Sequence, residues 1–178
     1  MRREKKHVLT LCIVSMFAAM VCACTFISVP LPIGYFNLGD IVILVAAYII
    51  GFPAAIAAAV GAALADVLMG YTIYAPATAI IKGLCVVIAC AILLITKKLV
   101  SNRGLFIARY VIAALAAETF MVLGYLFFEA VILSYGTAAL ASVPGNCIQG
   151  LCGIVGSVTI YGALYLSGAE RFIRKWLD

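Results

Sequence analysis

Several short segments of this sequence bring side chains with hydrogen-bonding or ionic chemistry onto a common face. Tyr125 and Glu129 stand four residues apart, so on a helix an aromatic ring and a carboxylate are neighbours. Asn146 and Gln149 stand three apart, and two amides on one face can read the donors and acceptors of a heterocycle. Asn37 and Asp40 precede an apolar run and are read two ways, as the cap and first-turn carboxylate of a helix or as ligand contacts. Asp66 and Lys82, on successive apolar runs, are expected to neutralise one another across a hairpin, with Lys82 left open as a ligand contact. Glu118, in the middle of a long apolar run, is expected to be a carboxyl bonded between helices. Tyr35, Phe36, Tyr71 and Tyr74 fall between runs, either as interfacial belt residues or as a lid stacking on a planar ligand.

The solvent that surrounds these groups follows from composition. Of 178 residues, 67% are hydrophobic and 11% charged, against about 45–50% and about 25% in soluble domains. A water-soluble globule of this size keeps too much surface exposed to hide that apolar excess, and a mean hydropathy of +1.24 excludes disorder. The elements that position the polar groups are therefore expected to be membrane helices. The seven cysteines all lie in apolar runs, and His7 is the single histidine. That pattern reads as packing rather than as a metal set.

Apolar runs and their breakers give six spans in one membrane domain, at about 8–28, 38–50, 53–69, 76–96, 108–133 and 144–166. The second and third are shorter than the roughly 20 residues that cross a bilayer upright. Eleven of the twelve basic residues fall before span 1 (Arg2, Arg3, Lys5, Lys6), between spans 4 and 5 (Lys97, Lys98, Arg103, Arg109) or after span 6 (Arg171, Arg174, Lys175). The positive-inside rule puts all three groups on one side only if the chain crosses six times with both termini cytoplasmic. A basic start followed by Val21-Cys22-Ala23-Cys24 resembles a poor lipoprotein cleavage box. Cleavage would leave an odd number of spans, so the chain is expected to stay uncleaved.

In this topology Asp40, Asp66, Glu129, Asn146 and Gln149 lie near outer helix ends, and Lys82 about 9 Å inside one. Ionisable residues within spans are costly and mark functional sites. The expectation is an all-α integral membrane protein, a six-helix bundle with a substrate pocket in its outer half and an inner half almost without polar groups. Ser15, Ala19 and Ala23, four apart on span 1, form a small-residue stripe that allows close helix contact. From periodicity, packing within the bundle is the first reading of that stripe. Gly150, Gly153 and Gly156 mark a similar groove on span 6. The sequence carries no phosphate loop, no H-E-x-x-H and no G-x-S-x-G, so it is expected to be no enzyme and to hydrolyse no ATP itself.

The run Gly34-Tyr35-Phe36-Asn37-Leu38-Gly39-Asp40 resembles the substrate-binding S component of an energy-coupling factor (ECF) vitamin transporter. The riboflavin-type group, which also holds components for hydroxymethylpyrimidine and pyridoxine-like ligands, is the most similar. The likeness continues through Gly61-Ala62-Ala63-Leu64-Ala65-Asp66, Tyr74-Ala75-Pro76, Ile81-Lys82-Gly83, Gly124-Tyr125 with Glu129, and Pro144-Gly145-Asn146 with Gln149-Gly150. The resemblance implies a multi-pass protein of a bacterial plasma membrane that captures a vitamin tightly, with no cofactor. A membrane coupling subunit and two cytosolic ATPases would energise uptake. It further implies that Ala19-x-x-x-Ala23, with Ser15, docks the coupling subunit. The ligand site it implies comprises Asn37, Asp40, Tyr74, Lys82, Tyr125, Glu129, Asn146 and Gln149.

One lysine and no arginine among those eight disfavour a doubly anionic phosphate ester. A pyridine or pyrimidine vitamin precursor is therefore expected before riboflavin. The competing expectation is a self-sufficient proton-coupled transporter using Glu118 as a mid-membrane carrier. An intramembrane enzyme stands furthest away, because the sequence offers no nucleophile–base or metal set.

Overall fold

A computed structural model describes residues 2–31, 33, 35–99 and 103–169. Pro32, Gly34, Arg171, Arg174 and Lys175 lie outside the described residues, as do the side chains of Arg2, Arg3, Lys5, Lys6, Lys98 and Arg103. Six α-helices occupy the six apolar runs: α1 (Arg2–Phe26), α2 (Gly39–Ile50), α3 (Ala54–Leu68), α4 (Ala75–Ile95), α5 (Arg103–Phe127) and α6 (Val143–Leu166). Pro76 and Pro144 sit in the first turns of α4 and α6, where a missing N–H costs nothing. Neighbours pack in the order α1–α3–α4–α5–α6–α2 and back to α1, a closed ring, and α2 also touches α3 and α4.

Segments His7–Phe26, Ala75–Ile95, Ile107–Ile132 and Gly136–Leu166 are long and apolar enough to cross a membrane. The helices α2 and α3 are apolar but shorter. The 12 residues of α2 rise about 18 Å. Its middle, from Ile43 to Ile49, is buried by the other helices. A two-stranded ribbon, β1 (Ser28–Pro30) antiparallel to β2 (Tyr35–Asn37), precedes α2 and occupies the end where α2 falls short. The sequence reading had only a loop there. The strands form because β-branched Val29 pairs with aromatic Phe36, while Pro30 takes a strand-end position that needs no ladder N–H.

Side-chain size runs opposite to a water-soluble core. On α3, Ala54, Ala57, Ala58, Ala62 and Ala65 face inward while Ile56, Val60, Leu64, Val67 and Leu68 face outward. Small residues let helix backbones approach, and large apolar ones suit lipid. Gly61 makes one such contact: a Cβ there would lie 2.9 Å from the Val21 side chain and also overlap the Ala18 carbonyl.

The two ends of the bundle differ. The ribbon end carries the connections between α3 and α4 and between α5 and α6, while the basic end carries Lys97 and Arg109. The basic end is not uniformly apolar, contrary to expectation. Tyr48 donates to the Tyr110 carbonyl at 3.2 Å, the Tyr110 and Tyr161 hydroxyls lie 3.1 Å apart, and the three rings pack together. Tyrosine was passed over there because it counts as hydrophobic in a composition, although its hydroxyl needs a partner when buried.

Candidate binding site

At the ribbon end, β2 and the helices α2 to α6 bring polar side chains together. The deepest layer is an ion pair. Lys82 Nζ, on α4, donates to Asp40 Oδ1 and Oδ2, on α2, at 2.7 and 2.8 Å, with both side chains 3% exposed. A lone buried charge would be very costly, so each needs the other. The pair replaces the expected Asp66–Lys82 contact. Asp66 lies two residues from the end of α3 and Lys82 seven residues into α4, which leaves them about 7 Å apart in depth.

Gln149 of α6 completes this floor. Its Nε2 donates to Asp40 Oδ2 at 2.6 Å, and its Oε1 accepts from the Asn37 backbone N–H at 3.0 Å and from Asn37 Nδ2 at 3.1 Å. Asn37 Oδ1 in turn accepts the Gly39 N–H at 2.8 Å, so Asn37 serves the start of α2, whereas the Asp40 carboxylate is committed to Lys82 and Gln149. Glu118 packs behind the floor. A Cβ on Gly153 would stand 3.0 Å from Glu118 Oε1 and 3.1 Å from Asp40 Cβ, so any larger residue there would crowd the two carboxylate side chains. Glu118 is therefore packed against α6 rather than bonded across helices as expected. Its buried Oε2 has no hydrogen-bond partner among the described residues.

Above the floor the wall's carboxylates are equally buried but less fully hydrogen-bonded. Glu129 sits in a π-helical turn, Phe128–Ile132, that ends α5, a wider turn often found at functional sites. It accepts from the Tyr74 hydroxyl at 3.4 Å and from the Ser142 hydroxyl. Thr78 and Tyr125 share a hydrogen bond of 3.0 Å, and the Tyr125 ring centroid lies 5.4 Å from Lys82 Nζ. From β2, the Tyr35 hydroxyl donates to Asp66 Oδ1, while Asp66 Oδ2 is buried without a partner among the described residues. Burial and the nearby Asp66 carboxylate push the Tyr35 phenol well up. Burial and Glu129 do the same to Tyr74. Both therefore remain neutral donors. Tyr35, Tyr71, Tyr74 and Phe128 form a chain of ring contacts, 4.8, 6.4 and 5.6 Å between successive centroids.

These groups enclose a small chamber of about 30 Å³. Its lining supplies carboxylates, amides, hydroxyls and aromatic faces, chemistry suited to holding a planar polar ring. The family model for the S component of ECF-type riboflavin transporters matches residues 5–166. The chain belongs to this family. Among curated proteins none matches significantly. The protein is thus a multi-pass membrane protein, the vitamin-binding subunit of an ECF transporter, in a family whose members work with a membrane subunit and ATPases.

Of the eight site residues implied by resemblance, six line the chamber of this S component: Asn37, Tyr74, Tyr125, Glu129, Asn146 and Gln149. Asp40 and Lys82 do not line it; they lie in the floor beneath. Asp66, Tyr35, Ile33 and Thr78 also line it. The sequence reading assigned Asp66 to structure and passed over Ile33, Thr78 and Ser142. Thr78 had a usable signal, since it stands four residues from both Tyr74 and Lys82, on the face they share. Ser142 had none, because its position depends on the fold of the 3₁₀ segment Gly136–Ser142. Ser15, Ala19 and Ala23 are exposed on the outside of α1, which removes packing within the bundle as their explanation. The α6 glycines do the reverse: Gly150 and Gly153 face Glu118, and Gly156 faces Ile41.

Proposed function

We propose that this S component captures a single-ring heteroaromatic vitamin or precursor, of pyridine or pyrimidine type before riboflavin, in the chamber at the ribbon end. That end faces outward, all six helices cross, and both termini are cytoplasmic. The observation that carries the reading is the chamber's lining. Asp66 Oδ2 has no partner among the described residues, and the Asn146, Tyr35 and Tyr74 side chains line the same chamber. A weakly basic or neutral heterocycle satisfies such acceptors and amides while stacking on tyrosine. A chamber of about 30 Å³ must open to admit any ring, and a single ring asks for less opening than the three fused rings of riboflavin. The loops of this end carry no Lys or Arg, in keeping with an outward face.

Energy for uptake comes from a separate module, a coupling subunit and two cytosolic ATPases. The exposed Ser15–Ala19–Ala23 stripe docks the coupling subunit, because small residues let another helix approach closely. Mass spectrometry of the compound that co-purifies with the full chain tests the ligand assignment. A pyridine or pyrimidine vitamin supports it, and riboflavin would reverse the order of preference. Proteoliposome uptake by this chain alone, collapsing with the proton gradient, would overturn the division of labour. Ala19→Trp is expected to leave ligand binding intact and to abolish energised uptake with the coupling module present.

A further inference from the structure

A cavity of about 640 Å³ lies at the opposite end from the ligand chamber, between the α2–α3 turn and the ends of α4 and α5. Its charged lining residues are Lys97 and Arg109, and among the described residues no Asp or Glu lines it. Among the described residues neither cation is paired with a carboxylate. Arg109 is held in place: one Nη donates to the Leu93 carbonyl, and its guanidinium lies 5.5 Å from the Tyr110 ring centroid. Its Nε is buried with no hydrogen-bond partner among the described residues. A fixed guanidinium with a spare donor, in one cavity with a second cation, has the chemistry to receive an oxyanion, and arginine suits phosphate in particular.

The surroundings say what kind of phosphate. Phe52 and Leu94 belong to the cavity wall yet are 49% and 63% exposed, and the adjoining Ile95 is 73% exposed. On a membrane protein these side chains meet acyl chains. The cavity thus joins a cationic interior to a lipid-facing apolar rim, complementary to a ligand with an anionic head and hydrocarbon tails. Basic pockets between membrane helices bind such headgroups.

We propose that this cavity binds the phosphate of an anionic phospholipid, with Arg109 and Lys97 contacting the headgroup and the acyl chains lying over Phe52 and Leu94. The site rests on the chain being a membrane protein and is independent of which vitamin is carried. It ties the α2–α3 turn to the α4–α5 connection through the lipid.

Native mass spectrometry of the delipidated full chain tests this, using phosphatidylglycerol and phosphatidylcholine with identical acyl chains. Phosphatidylglycerol should be retained at least about tenfold better and should raise Tm. Lys97→Gln, at an exposed position that does not endanger folding, should cut that preference about fivefold. Arg109→Gln should cut it further, and Arg109→Lys should restore part of it. Equal retention of the two lipids would overturn the proposal, as would a preference unchanged in both glutamine variants. Stabilisation by inorganic phosphate equal to that by phosphatidylglycerol would also overturn it, marking a soluble-anion site instead. No readout uses the vitamin, so failure here leaves the chamber's function standing, and failure there leaves this site standing.

Discussion

The floor and the wall of the ligand chamber are built from the same kinds of side chain, yet the floor is saturated and the wall is not. In the floor, both Asp40 oxygens accept from Lys82, and Gln149 joins Asp40 to Asn37. In the wall, Asp66 keeps an oxygen free of partners among the described residues, while Glu129 accepts from Tyr74 at one oxygen, at 3.4 Å, and from Ser142 at the other. Burial does not separate the layers, since Asp66 and Glu129 are as buried as Asp40. Spare hydrogen-bonding capacity does. A ligand gains most from groups that lose least when they turn toward it, so our proposal gives recognition to the wall and rigidity to the floor.

The largest effect should come from the floor. Lys82→Met leaves a buried carboxylate without its cation and should cost about 3–5 kcal/mol of stability, seen as a marked fall in Tm. Adding Asp40→Leu should recover most of it, since replacing a whole buried pair by apolar residues is often neutral. A Lys82→Met protein of unchanged Tm that binds no ligand would erase the distinction between the layers. Next comes the wall. Glu129→Gln should weaken binding about 10- to 100-fold in a titration, with little change in Tm. Smallest is Asn146→Ala, which should weaken binding about five- to tenfold and leave stability alone. A fall in Tm in that variant would move Asn146 into the scaffold and sharpen the boundary.

Much of this was legible in the sequence, and the reasons are physical. Helix positions follow from apolar run length, and Pro76 and Pro144 mark helix starts wherever they occur. Tyr125 with Glu129, and Asn146 with Gln149, were readable because helical spacing puts each pair on one face before any tertiary contact forms. Choosing partners between helices was not readable in that way. Lys82 had two candidate carboxylates, and selecting Asp40 over Asp66 requires knowing that α2, between α1 and α6 in the ring, also touches α4. The outward turn of Ala19 and the inward turn of Gly153 likewise depend on which neighbours each helix acquires, since both belong to stripes of small residues at helical spacing. The Tyr48–Tyr110–Tyr161 cluster and the cavity beside it were hidden for a further reason: tyrosine and the stems of Lys97 and Arg109 read as apolar or peripheral until folding converges them.

The central claim is that the wall of the chamber recognises a single-ring vitamin. Calorimetric titration of the purified full chain with pyridoxine, hydroxymethylpyrimidine and riboflavin, run in parallel on Glu129→Gln, tests it most directly. The account predicts one site per chain with a sub-micromolar Kd for a pyridine or pyrimidine ligand, weakened in the variant. Binding of none of the three below micromolar concentration, or equal affinity in both proteins, would contradict it.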